Sequence, residues 1–395
     1  MDFRFSPEQE ALRKEFEDFF VREMKTAPPG WLGTTEDIYN SDEGWAFHRA
    51  MGRKLGERGW LSLPWPKQYG GQGHGPIEQL IFNEVISYNR GAGVDNFLRM
   101  IAPTLLEYGN EEQKSRFLPR CARAEIYWCQ GWSEPNAGSD LAALTTRAVE
   151  DGDDYVVNGQ KIWTTGAHKA DWMFMVARTD PNLPRHRGIS FFLLDMKTKG
   201  ITVRPIAEMS GLHSFNEVFF DDVRVPKKNM VGEKNRGWYV TLSTMNFERS
   251  GIGRFSQQRR LLEELVRYCK ETVPNGRPLA GDQRIRSELA QRAIEMAAGR
   301  AMAYRIAWLQ TKGELVAAEA SASKVFGSEL SQRIAYTGSR ILGMYSQLSE
   351  GSKWAPLKGL FEMLYQTMPG YNLAGGSSEV QRNIVATRGL DLPRS

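Results

Sequence analysis

Four short stretches concentrate the groups from which chemistry could be built. Gly131-Trp132-Ser133-Glu134-Pro135-Asn136-Ala137-Gly138-Ser139-Asp140 mixes hydroxyls, a carboxylate and small residues, and Gly159-Gln160-Lys161-Ile162-Trp163-Thr164-Thr165 sets an indole beside two hydroxyls. Met245-Asn246-Phe247-Glu248-Arg249-Ser250 holds a carboxylate that could abstract a proton if desolvation raised its pKa towards neutrality. Leu373-Ala374-Gly375-Gly376-Ser377-Ser378-Glu379-Val380-Gln381-Arg382 pairs two glycines with two serines and a glutamate. Taken singly, each has a plainer account. Ser-Glu-Pro-Asn is an ordinary loop and capping string, Trp163 a core aromatic, and Glu248 a solvated helix residue or an ion-pair partner of Arg249. The five histidines (His48, His74, His168, His186, His213) lack i,i+4 pairing and Cys121, Cys129 and Cys269 lack metal spacing, so no metal is expected.

The elements that must position these groups fall into three segments. The first ~120 residues read as helices. Ser6-Pro7-Glu8-Gln9 joins an N-cap, a proline at the first helical position and a capping-box glutamine, and Leu12, Phe16, Phe19 and Phe20 follow as an amphipathic stripe. Further helical runs cover about 42–56, 77–87 and 104–108, then 111–117, with turn-rich loops at Leu63-Pro64-Trp65-Pro66 and Gly70-Gly71-Gln72-Gly73. In the middle third, Asn158-Gly159-Gln160 lies between two strand-like runs and predicts a hairpin, because Asn-Gly accepts positive φ. Strands are predicted at about 172–178, 189–194, 201–206 and 218–225, a small antiparallel barrel or sandwich. From about Gly237 the pattern is helical again, at about 260–272, 287–312, 316–339 and 358–364, as in a bundle. The order helix, β, helix implies an α+β fold, and no GxGxxG follows a strand.

Composition narrows the function classes. In 395 residues, 41% hydrophobic and 25% charged content is globular, and the net charge of +4 with dispersed pairs such as Arg259-Arg260 and Lys227-Lys228 gives no nucleic-acid stripe. Few cysteines, an N-terminus with no apolar signal core and no membrane-length apolar run lead to the expectation of a cytoplasmic protein.

Together, the four stretches resemble the acyl-CoA dehydrogenase family across essentially the whole chain. Ser133-Glu134-Pro135 followed by Ala137-Gly138-Ser139-Asp140 is similar to that family's flavin-side signature, and 159–165 to its second flavin strand. Asn216–Pro226 and Gly232–Trp238 resemble its exit from the β domain. The resemblance implies an N-terminal helical domain (1–124), a middle β domain (125–235) and a C-terminal helical domain (236–395). It implies FAD held by Gln130, Trp132, Ser133, Gly138, Ser139, Trp163, Thr164, Thr165, Ser377 and Glu379, with Trp163 against the ring and Thr165 towards N5 and O4. Ser139, Asn246, Arg249 and Gly375 would contact the acyl-CoA.

One position departs from the family pattern. The glutamate that most members carry just before the Gly-Ser-Ser element, and use as catalytic base, is here Gly375. In the isovaleryl-CoA and long-chain branches the base instead precedes an arginine in the helix that opens the last domain. Glu248, before Arg249, matches that alternative, so the resemblance implies a relocated base with the Gly375 amide kept as a donor to the thioester oxygen.

Two further departures concern a neighbouring subunit. The family's Tyr-x-x-x-Arg-x-x-Phe-Gly run has become Tyr268 to Gly276, with Thr272 and Asn275 in place of the arginine and phenylalanine. The Gln-x-x-Gly-Gly-x-Gly run has become Arg340 to Ser346, with Met344 where backbone should approach the cofactor. The groups that would hold a neighbour's FAD are thus degraded, whereas those for the chain's own are kept. The resemblance therefore implies the catalytic-type subunit of an α2β2 heterotetramer, as in bacterial steroid side-chain breakdown. It would dehydrogenate a bulky, branched or steroid-derived acyl-CoA and pass electrons to an electron-transfer flavoprotein. Two alternatives stand beside it: an oxygen-using flavin oxidase or monooxygenase on the same fold, and a non-catalytic subunit. The second would show the reverse pattern of losses.

Overall fold

The computed structural model describes residues 4–244, 250–314 and 316–393, with only the backbone at Asn275. The expectations at Asn246, Glu248 and Arg249 therefore lie outside the described residues. The chain forms two compact units, each discontinuous in sequence: 1–33, 75–91 and 249–395 in one, 34–74 and 92–248 in the other.

The first unit is helical. Its opening helix, Pro7–Glu23, starts at the expected capping box, with Ser6 Oγ accepting from Gln9 N–H and Gln9 Oε1 from Ser6 N–H. Pro76–Tyr88, Ile252–Glu271, Gln283–Thr311, Ala317–Leu342, Leu360–Tyr371 and Ser378–Gly389 complete its long helices. Leu80, Phe255, Leu265, Leu330, Ile334 and Phe361 are among the side chains that form its core. Helix approach is set by two glycines: a Cβ on Gly299 would stand 2.0 Å from the Phe255 ring, and one on Gly338 the same distance from Phe361. The helix expected from 358 starts at Leu360, because Leu357 and Lys358 turn through φ of 50° and 59°. Several others start earlier than their patterns suggested, at Ile252 rather than 260 and at Gln283 rather than 287.

In the second unit, helices Thr35–Tyr39, Asp42–Glu57, Leu98–Tyr108, Glu111–Ala122 and Gly237–Thr244 accompany one eight-stranded sheet. Its strands are β1 (Trp128–Gly131), β2 (Arg147–Asp151), β3 (Asp154–Lys161), β4 (Trp172–Arg178), β5 (Ile189–Asp195), β6 (Ile201–Pro205), β7 (Asn216–Pro226) and β8 (Met230–Val231). They run in the order β6-β7-β3-β2-β4-β5-β8, with β1 beside β4. Most pairs are antiparallel, as expected, but β1 and β2 each meet β4 in parallel. β4 and β5 are buried on both faces at six successive residues, which is why they read as apolar runs, interrupted in β5 only by the buried Ser190.

The hairpin expected at Asn158-Gly159 is absent. β3 runs straight through it, paired with β7, and the register shifts between Val157 and Gly159. Gly159 has φ of 147°, and a Cβ there would lie 2.6 Å from Thr146 Oγ1 and 2.7 Å from its Cα. The Asn-Gly pair thus serves a bulge, which asks for the same backbone freedom as a tight turn. The actual hairpin joins β2 to β3 through Gly152-Asp153, with Gly152 at φ 59°.

Candidate functional site

The functional residues expected in the β-containing unit are drawn together by one buried knot. Glu134 follows β1, Lys161 ends β3, and Lys161 Nζ donates both to Glu134 Oε1 at 2.9 Å and to the Trp132 carbonyl at 3.0 Å. The other oxygen, Oε2, accepts from Thr145 N–H and hydroxyl at 2.6 and 2.8 Å, and Oε1 also accepts from Thr146 N–H at 3.0 Å. Burial alone would raise the Glu134 pKa, but the Lys161 ammonium and these donors outweigh it and hold the carboxyl at about 2. A charge pair this enclosed is tolerable because its hydrogen-bonding capacity is met.

The knot fixes the two chemistry-bearing stretches against each other. Ile162 N–H donates to the Ser133 carbonyl at 2.9 Å, which sets Trp163 next to the Trp132-Ser133 turn. Thr164 is then clamped by Asn216: the two exchange backbone hydrogen bonds of 3.0 and 3.1 Å, and Asn216 Nδ2 adds a third to the Thr164 carbonyl at 2.9 Å. Between these anchors Trp163 takes φ of 59° and stays 57% exposed, against the core role that is its plainest reading. Ser133 and Thr165 are half-buried beside it. Gln130, on β1, is half-buried with its amide 3.8 Å from Met100 Sδ.

Two buried polar atoms in these stretches, Trp132 Nε1 and Thr164 Oγ1, have no hydrogen-bond partner among the described residues. Orphaned buried donors are costly and ask for a partner. An uncovered indole, two hydroxyls and unpartnered donors suit a flat aromatic ligand with a polar edge. Gly138 and Ser139 lie farther along, in the exposed loop after Ala137.

Gly375, Ser377 and Glu379 form a second constellation, in the helical unit. After Leu360–Tyr371 the chain turns through Gly375 at φ 67° and Gly376 at φ 91° into the helix Ser378–Gly389, whose N-cap is Ser377. The Ser377 hydroxyl accepts from Val380 N–H at 3.3 Å, and Glu379 sits in the first turn. Its own backbone N–H and the Ser377 hydroxyl lower the Glu379 pKa. Gly375 is exposed, a Cβ there would meet nothing within 4 Å, and no described group accepts its N–H.

Residue types alone missed the knot. The motifs contain Glu134 and Lys161, yet nothing local says that residues 27 apart are ion-paired. The one available signal was a lysine in phase with the inward Tyr155 and Val157 of the same strand. Asn216, fully buried, was equally silent.

Family models match nearly the full length: acyl-CoA dehydrogenase N-terminal domain over residues 6–125, middle domain over 129–223 and C-terminal domain over 235–390. The acyl-CoA dehydrogenase FadE26 of Mycobacterium tuberculosis is 35% identical over 407 residues, covering 100% of both chains. Among solved structures, a chain of the Tcur3481-Tcur3483 steroid ACAD has a TM-score of 0.89 at 33% identity, with 100% of each chain covered. A chain of the ChsE4-ChsE5 complex from Mycobacterium tuberculosis gives the same TM-score at 34% identity, again over 100% of both.

Proposed function

The chain belongs to the acyl-CoA dehydrogenase family, and from that premise we propose that it desaturates an acyl-CoA thioester between Cα and Cβ, with Glu248 as the base. FAD would be held by Trp132, Ser133, Trp163, Thr164 and Thr165, with Gln130, Gly138, Ser139, Ser377 and Glu379 contributing further contacts. The observation that carries this reading is the pairing of an exposed Trp163, held at positive φ, with the buried, unpartnered hydroxyl of the adjacent Thr164. When bound, FAD supplies the acceptor for the β-hydrogen, which leaves as hydride.

The chain's own residues supply the rest. Glu248 takes the α-proton, a task for which a carboxylate is suited when desolvation raises its pKa towards neutrality. The Gly375 N–H donates to the thioester oxygen, where negative charge builds as the α-proton leaves. Gly375 suits this role because it offers an unengaged amide and no side chain where most relatives carry their base. Asn246, Arg249 and Ser139 would line the path of the acyl-CoA.

The acyl group is proposed to be bulky, branched or steroid-derived, and the working form a cytoplasmic α2β2 heterotetramer with a related subunit, feeding an electron-transfer flavoprotein. Support comes from the relatives, one a steroid ACAD and both two-component assemblies by name. It also comes from the helical unit, where Met344 and Tyr345 are 77% and 55% exposed on the turn that in the family cradles a neighbour's cofactor. The test is to prepare the chain alone and with its partner, and to measure FAD per chain and flavin bleaching by cholyl-CoA, a steroid with a saturated side-chain thioester. Full FAD occupancy by the chain alone would defeat the heteromer, and fast oxygen consumption would defeat the dehydrogenase.

A further inference from the structure

The loop that carries Gly375 is held by one side of a single helix. Ala317–Leu342 presents Lys324 and Gln332, eight residues apart and so on the same face, to residues 372–378. Lys324 Nζ donates to the carbonyls of Asn372 at 3.1 Å and Gly376 at 2.8 Å. Gln332 Oε1 accepts from Asn372 Nδ2 at 2.7 Å. The Asn372 carbonyl also accepts from Ser378 N–H at 3.0 Å, which closes the loop, and Gln381 Nε2 caps the Gly375 carbonyl at 2.9 Å.

We infer that Lys324 is a positioning residue for the proposed reaction: by gripping the carbonyls on both sides of Gly375 it fixes the direction of the Gly375 N–H. Two consecutive glycines at positive φ have wide backbone freedom, and an amide that must meet developing charge cannot wander. The ammonium spans the turn from residue 372 to residue 376, so the peptide between is pinned at both ends. Lys324 Nζ donates to these loop carbonyls, so its proposed action is through the loop. Its surroundings fit a structural cation: burial and the nearby Arg254 bring its pKa down to about 8, against the pull of Glu329 and Glu379. Even the neutral amine keeps two N–H donors for the two carbonyls.

This inference rests on the proposal that the Gly375 amide is a donor, and the test separates the two. In the FAD-loaded protein, with its partner subunit, Lys324→Met removes the donors at nearly constant length. Amide hydrogen exchange is followed over residues 372–381, and kcat and KM are measured with cholyl-CoA. The expected result is faster exchange confined to this loop, and kcat lower by about ten- to a hundredfold with KM little changed. Unchanged exchange would overturn the positioning role. Faster exchange with unchanged kcat would overturn the donor role of Gly375 instead. If Lys324→Met fails to fold, Lys324→Arg keeps charge and donors on a bulkier head. It is expected to move both readouts in the same sense by smaller amounts, and no movement in either would overturn the inference.

Discussion

Lys161 Nζ lies 2.9 Å from Glu134 Oε1, with the lysine side chain fully buried and the glutamate 5% exposed. The pair ties the end of β3 to the segment after β1, so the Trp163 and Ser133 stretches share one anchor. Removing one partner strands the other charge in the core. Glu134→Gln or Lys161→Met is therefore expected to cost about 3–5 kcal/mol, read by denaturant unfolding. The double variant should cost less than the sum of the single ones.

The same pair sets an acid limit. The Glu134 carboxyl is held at about 2 when folded, below its ordinary value of 4.5, so its contribution is complete above the unfolded pKa. It is lost as pH falls from about 4.5 towards 2. Unfolding midpoints measured across that window should drop in the wild type and drop less steeply in Glu134→Gln.

Gly159→Ala should be destabilising by more than about 1 kcal/mol, because the position combines φ of 147° with a Cβ only 2.6 Å from Thr146 Oγ1. Thermal unfolding checks this, and Gly152→Ala, where φ is 59° but nothing lies within 4 Å of a Cβ, is expected to cost less.

How legible these features were in the sequence depended on distance along the chain. The Ser6 cap and the strand at Trp172–Arg178 were readable because each is a local pattern, a capping box in one and an apolar run in the other. Asn158-Gly159 misled because a bulge and a tight turn ask the same of the backbone, and pairing with β7, some 60 residues on, decided between them. The helix expected from about 104 starts at Leu98 and carries Pro103 in its interior, a residue that usually ends a helix rather than continuing it. At the site, motif strings located the Trp163 face and the Gly375 turn. They could not show that Glu134 binds Lys161, or that Lys324 grips a carbonyl 52 residues away.

Trp163→Ala separates ligand binding from folding. The indole is 57% exposed, so its loss should change stability little, within about 0.5 kcal/mol. If it packs on the flavin ring, FAD affinity should fall by about tenfold, read by flavin release on titration. Unchanged affinity would remove Trp163 from the cofactor face.

The relocated base is tested most directly by Glu248→Gln in the FAD-loaded protein with its partner subunit, mixed anaerobically with cholyl-CoA while flavin absorbance is followed. The prediction is full FAD content and a bleaching rate lower by about 10²–10⁴-fold. A variant that keeps its FAD and bleaches at the wild-type rate would contradict Glu248 as the base.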